Sequence, residues 1–166
     1  RMYAAPDRRR PAGERIDASA DEYHFKNNRV SLAGKFKGAY RIKVEYAQDG
    51  SHFSYLVPTP FEIDTVNGDQ DLGEVRIPAP GNLRLSGRLL DEAGAPLPGK
   101  NLTAEPKFES DFRDFWTTTD KEGNYRFIGL NEGPYEIHFN VANTYEAPPV
   151  TVEIAGDTRR DWTLGK

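Results

Sequence analysis

Cysteine is absent from this 166-residue chain, methionine occurs once and histidine three times. The missing cysteines exclude a disulfide framework and any thiolate-held metal. They also remove the commonest low-pKa nucleophile, and no serine stands in a Gly-x-Ser-x-Gly setting, so covalent catalysis has no candidate. No apolar run approaches the length of a membrane span, and direct membrane insertion is not expected. Helices are not expected either, because apolar residues nowhere recur at helical spacing over ten residues. Hydrophobic residues make up only 37% of the chain, so any core must come from many thin elements and their aromatics. The net charge is −4, with acids and bases interspersed. A nucleic-acid partner would need a concentrated basic face, and none is expected.

What the chain does have is nine Phe, eight Tyr, 15 Gly and 12 Pro, arranged as short alternating stretches between turn signals. "YHFKN", "RVSLAG", "AYRIKVEY", "FSYLV", "FEIDTV" and "LGEVRI" precede residue 78, and "LRLSGRLLD", "NYRF", "PYEIHF" and "VTVEIAG" follow it. Their period of two is that of half-buried strands. Asp49-Gly50 and Asn67-Gly68 are hairpin signals, and Asp91 to Gly94 and Asp120 to Gly123 have the type I turn pattern. The class is all-β. "PAPG", residues 78–81, cannot continue a ladder and sets a boundary. The expected organisation is a flexible arm over residues 1–21, a partial β-sandwich module over 22–79 and a complete one over 80–166. The opening "RMYAAPDRRRP" reads as a piece of a longer protein.

The two modules repeat each other. Shifting by 95 positions, Val30, Leu32, Gly34, Gly38, Tyr40, Ile42 and Val44 fall on Tyr125, Phe127, Gly129, Gly133, Tyr135, Ile137 and Phe139. A later strand registers at a shift of 89, with Phe61 on Val150 and Ile63 on Val152. The first module begins only at the strands equivalent to Tyr125 onward, so it is shortened. On this basis residues 82–166 are expected to fold alone and residues 1–80 poorly.

Three stretches carry a family resemblance: Gly87 to Gly99, Thr119 to Phe127 and Gly129 to Ile137. Together they resemble the carboxypeptidase regulatory-like domain, a transthyretin-like (prealbumin-like) sandwich, over residues 82–166, with a partial second copy at about 22–78. The resemblance implies two tandem Ig-like or transthyretin-like antiparallel sandwiches. It also implies a non-catalytic structural or binding module in a larger secreted, periplasmic or cell-surface protein. No cofactor is implied. The implied partners are other domains of the parent protein, a glycan or a surface protein. Gly34, Gly38 and Tyr40, like Gly129, Gly133 and Tyr135, are then turn and corner residues: glycine for close approach or positive φ, tyrosine for the end of the core.

Few other residues point to chemistry. No two histidines stand at metal spacing. "NGDQDLGE", residues 67–74, spaces acids as a calcium loop does, but its glycine is one place late and a hairpin tip is favoured. The intramolecular isopeptide cross-link of some relatives with this topology needs a buried Glu where this chain has Val44 and Phe139, and it is rejected. The remaining feature is "KFESDFRDFWTTT", residues 107–119. Phe112, Phe115 and Trp116, flanked by Asp111 and Arg113, have the composition of a sugar-stacking face. That makes a carbohydrate-binding module the alternative function. Packing of these rings against a neighbouring module is the favoured reading, because inter-domain contacts also use aromatics.

Overall fold

The computed structural model describes residues 37–140 and 147–165, together with the strand backbones of residues 2–6, 23–26 and 29–32. All regular structure among them is β. The chain divides into two compact units, Arg1–Glu45 with Tyr55–Ile77, and Tyr46–Ser54 with Pro78–Lys166.

The first unit contains β1 (Met2–Pro6), β2 (Tyr23–Lys26), β3 (Arg29–Leu32), most of β4 (Lys37–Gln48), the end of β5 (Ser51–Leu56) and β6 (Phe61–Asp64). Alternation on these strands buries Tyr40, Ile42, Tyr55 and Ile63, and Val57 just past the end of β5 is buried with them. Strands β2 and β3 pair with each other in a two-stranded sheet. Within the segment expected to be an arm, β1 runs antiparallel to β4, with Met2 opposite Val44, Ala4 opposite Ile42 and Pro6 opposite Tyr40. The rest of that segment, residues 7–22, lies outside the described residues.

The expected return strand "LGEVRI" is not formed: residues 69–82 have no strand. The Gln70 amide takes its place beside β6, donating to the Glu62 carbonyl at 2.9 Å and accepting from the Asp64 N–H at 2.9 Å. A side chain thus satisfies the backbone groups that a neighbouring strand would have paired.

The second unit is a sandwich of β7 (Leu83–Asp91), β8 (Asn101–Pro106), β9 (Phe112–Thr118), β10 (Asn124–Leu130), β11 (Gly133–Asn140), β12 (Val150–Ile154), β13 (Thr158–Arg159) and β14 (Trp162–Leu164), with residues 46–54 added. One sheet runs β5-β9-β8-β11-β12 and the other β10-β7-β13, with β14 also on β7. Strands β13 and β14 are parallel to β7. The inner faces supply the core: Leu85, Leu89 and Phe127 from the smaller sheet, and Leu102, Phe115, Tyr135, Ile137 and Ile154 from the larger. The last strand is held by its own clasp. The Tyr125 hydroxyl donates to the Arg160 carbonyl at 2.6 Å and accepts from Trp162 Nε1 at 2.7 Å, and Trp162 packs edge-on against buried Phe139.

The pairing partners differ from one expected match. Tyr40 faces Phe61 and Gly38 faces Ile63, while Tyr135 faces Val152 and Gly133 faces Ile154. In pairing register Phe61 stands to Tyr40 as Val152 does to Tyr135, and Ile63 to Gly38 as Ile154 to Gly133, two residues beyond the match expected at a shift of 89. With a period of two, both registers place apolar residues on the same face, so only the hydrogen-bonding partners distinguish them.

Candidate functional site

The aromatic segment forms β9, and a local irregularity decides where its rings go. Asp114 has φ of +54°, in the left-handed region that aspartate tolerates better than most residues. Ser54 fixes it there, donating from its hydroxyl to Asp114 Oδ2 at 2.7 Å. Arg113 and Asp114 both lie outside, so Phe112 and Phe115, three apart, both point into the core. Each is 1% exposed, whereas Trp116 is 40% exposed. The three rings do not form one face: Phe112 and Phe115 pack on Phe53 at 5.6 and 5.4 Å between centroids. Of the cluster only Trp116 meets solvent, with Asp111 and Arg113 exposed beside it. Strict alternation separates Phe115 from Trp116, but it does not foresee that Phe112 joins Phe115.

Trp116 is not isolated. His52 of β5 stacks on it at 3.8 Å with 2° between the ring planes. Trp116 itself lines an open groove of about 810 Å³ on the outer face of the larger sheet, with Thr103, Glu105, Arg113, His138 and Asn140 among the other lining residues. Two of the lining residues, Glu105 and His138, belong to a charged cluster. Register sets Glu105 of β8 directly opposite Glu136 of β11, a repulsive pair by itself. Lys107 resolves it, with Nζ 3.1 Å from Glu105 and 3.0 Å from Glu136. His138 Nε2 lies 3.0 Å from Glu136 and 3.6 Å from Glu105. The hydrogen bond from Lys107 holds the Glu136 carboxyl below its usual range, and the two glutamates raise the lysine.

Ligand atoms of Glu105, Glu136 and His138 lie within 4.8 Å of one another, a spacing that could hold a cation. The ammonium of Lys107 already contacts both carboxylates, so the cluster is an ion-pair network as it stands. It was not evident in the sequence because its acids are 31 positions apart and meet only through strand register. Replacing Lys107 with methionine should raise the Glu136 pKa, because the group that holds it down is gone; carboxyl-carbon NMR titration reads this directly. The sign for the native network follows from the same shifts. The contribution of Glu136 is present above the unfolded carboxyl value near about 4.3 and is lost as pH falls through its lowered folded pKa. That of Lys107 is present below about 10.4 and is lost as pH rises through its raised one.

The turn and corner residues sit elsewhere in the fold. Gly38 and Gly133 have φ of +135° and +133°. A Cβ at Gly133 would come within 2.8 Å of the Phe108 ring, and one at Gly129 within 2.5 Å of the Phe53 ring. The Tyr135 hydroxyl accepts from the Asn131 N–H at 3.1 Å, and the Tyr40 hydroxyl lies 3.5 Å from the Lys37 carbonyl. Gly34 lies outside the described residues.

Comparison with known proteins supplies one family and several partial fold likenesses. Residues 84–165 match the family model described as Carboxypeptidase regulatory-like domain. No curated protein matches the chain in sequence. Among solved structures, the D312A form of BcpA, the major pilin subunit of Bacillus cereus, is 12% identical with a TM-score of 0.43. That alignment covers 99% of this chain and 59% of the subunit, so the chain spans about three fifths of its length. The pilus 2b backbone protein of group B streptococcus is 12% identical, with 99% of this chain and 77% of that one covered and a TM-score of 0.42. A 3-chlorocatechol 1,2-dioxygenase of Rhodococcus opacus 1CP is 15% identical, with 61% and 71% covered and a TM-score of 0.37.

Proposed function

We propose that this chain, whose residues 84–165 belong to the carboxypeptidase regulatory-like domain family, is a non-catalytic accessory module of a larger exported protein. Its role in this reading is to space and dock neighbouring domains at the cell surface, in the periplasm or outside the cell. The observation that carries the reading is how the family landmarks are used. Gly129 makes room for a core ring, Tyr135 ties down its own turn, and Asp120 closes the Asp-x-x-Gly turn by accepting from Glu122 and Asn124 N–H groups at 2.9 and 2.8 Å. The defining residues are spent on turns and core, and none of them reaches the groove. Turnover of chromogenic ester or glycoside substrates that disappears in Glu105→Gln or His138→Ala would sink the reading.

The same proposal includes a tandem arrangement, the first unit being a second copy of the sandwich. Strand pairing supports it. Beside β4, β1 sets Pro6, Ala4 and Met2 against Tyr40, Ile42 and Val44. Beside β11, β8 sets Pro106, Ala104 and Leu102 against Tyr135, Ile137 and Phe139. "MYAAP" thus takes the part of "LTAEP", with proline opposite the corner tyrosine in each case. The opening segment then supplies one of the front strands that the first module had been expected to lack.

The second reading, carbohydrate binding, rests on the half-exposed Trp116, which lines the groove and has His52 stacked on it. A pyranose would stack on the free face of the indole, with Arg113, Glu105 and Asn140 offering hydrogen bonds. Glycan-array binding abolished by Trp116→Ala, with the unfolding midpoint unchanged, is the expected result under this reading. Absence of any glycan signal leaves the accessory role alone.

A further inference from the structure

The smaller sheet of the second unit turns an arginine array to solvent, on the side of the sandwich opposite the Trp116 groove. Leu85, Gly87 and Leu89 of β7 are buried, so Arg84, Ser86 and Arg88 alternate outward. Register places Arg126 of β10 beside Ser86 on one side and Arg159 of β13 beside it on the other. Arg84, Arg126 and Arg159, with Ser86, Asp157 and Thr158, line one open concavity of about 270 Å³. Four of the six arginines in residues 78–166 stand on this face, and no lysine lines the concavity.

Like charges on adjacent strands repel, so an array of this kind needs counter-charge. The protein supplies only part of it. Arg126 meets Asp49 at 3.5 Å and Arg159 meets Asp161 at 3.8 Å, both in exposed pairs. Asp157 and Asp161 are already engaged by the backbone N–H groups of Arg84 and Arg88, at 3.0 and 2.8 Å. Among the described residues, the Arg84 guanidinium has no carboxylate partner and the Ser86 hydroxyl has no hydrogen-bond partner.

We propose that this concavity binds a tetrahedral oxyanion, sulfate or phosphate. Guanidinium groups are planar donors matched to oxyanions, and they bind sulfate and phosphate oxygens in pairs. Here the forks come from three neighbouring strands, with a hydroxyl between them. Four tetrahedral oxygens can accept from donors arrayed in three dimensions, whereas the acceptor sites of a carboxylate lie close to one plane. The anion is either free or carried on a sulfated polysaccharide, and the test separates the two.

Amide resonances of the whole chain are followed while sodium sulfate or sodium phosphate is added against chloride at matched ionic strength. Heparin and a desulfated heparin are then added in parallel. Sulfate or phosphate should move the Arg84, Ser86 and Thr158 resonances. Arg84→Gln and Arg159→Gln should each weaken binding about fivefold, the factor for losing one exposed charge contact. Lys121→Gln, an equal charge change elsewhere, should leave binding unaltered. Tighter binding of heparin that is lost on desulfation assigns the polymer as the source; binding of the inorganic ion with no gain from heparin assigns the free anion. No specific shift with any of these probes, or binding indifferent to both arginine variants, overturns the proposal.

Discussion

Replacing Tyr135 with alanine should lower the stability of the second unit by about 3–5 kcal/mol, the range for truncating a large buried aromatic. The side chain is fully buried, 0% exposed. It meets Phe108 and Phe115 edge-on, at 5.4 and 5.9 Å between centroids. Burial also raises its hydroxyl pKa, so the neutral phenol is the form that accepts from Asn131. The hydroxyl and ring contributions separate in a second variant. Tyr135→Phe keeps the rings together but leaves the Asn131 N–H without its acceptor, and should cost about 1–3 kcal/mol or less, since water can reach that turn. Domains of this size are held by about 5–15 kcal/mol, so the alanine variant should be unfolded at modest denaturant. Trp162, which packs in the same unit, reports the transition by its fluorescence. A midpoint unchanged in Tyr135→Ala would mean that this tyrosine does not anchor the core.

The corner around Tyr135 was legible because its signal is local. A glycine, a proline and three alternating apolar residues lie within seven positions, and each acts through its own backbone or its own face. Features made by partners distant in sequence were not legible. The Glu105–Lys107–Glu136 network depends on the register of β8 against β11, and register leaves no trace in either strand alone. The left-handed Asp114 reverses the inside–outside count along β9, yet its cause is Ser54, 60 positions earlier. The strand character of "MYAAP" was hidden by arginines and a second proline that follow it. Only its pairing with β4 identifies it as a strand. The missing "LGEVRI" strand failed for the converse reason. The local pattern was right for a strand, but a glutamine side chain had taken the partner's hydrogen bonds.

The largest effect should come from a segment that the sequence assigned to the other module. Residues 46–54, the tip of the β4–β5 hairpin, belong to the second unit. Tyr46 and Phe53 stack there at 4.6 Å, and Phe53 packs on Phe112 and Phe115. The fully buried Ser51 donates to the Arg126 carbonyl at 2.7 Å, a bond that joins the two sheets. Gly129 keeps φ of +74° with no side chain where the Phe53 ring passes. A protein consisting of residues 78–166 alone would leave β9 as an open edge with the Phe112 and Phe115 rings uncovered. Loss of Phe53 by itself is worth about 3–5 kcal/mol, and the hairpin adds a strand's hydrogen bonds to that. This reaches the whole stability of a small domain. Residues 78–166 should therefore be poorly folded, with collapsed amide spectra and dye-binding apolar surface, contrary to the expectation that residues 82–166 suffice. Fusing residues 46–54 to Pro78 through a flexible linker should restore spectral dispersion and a cooperative transition, and Phe53→Ala in that fusion should abolish the gain. Well-dispersed spectra from residues 78–166 without the hairpin would show that the second sandwich closes by itself and that Phe53 only covers a finished edge.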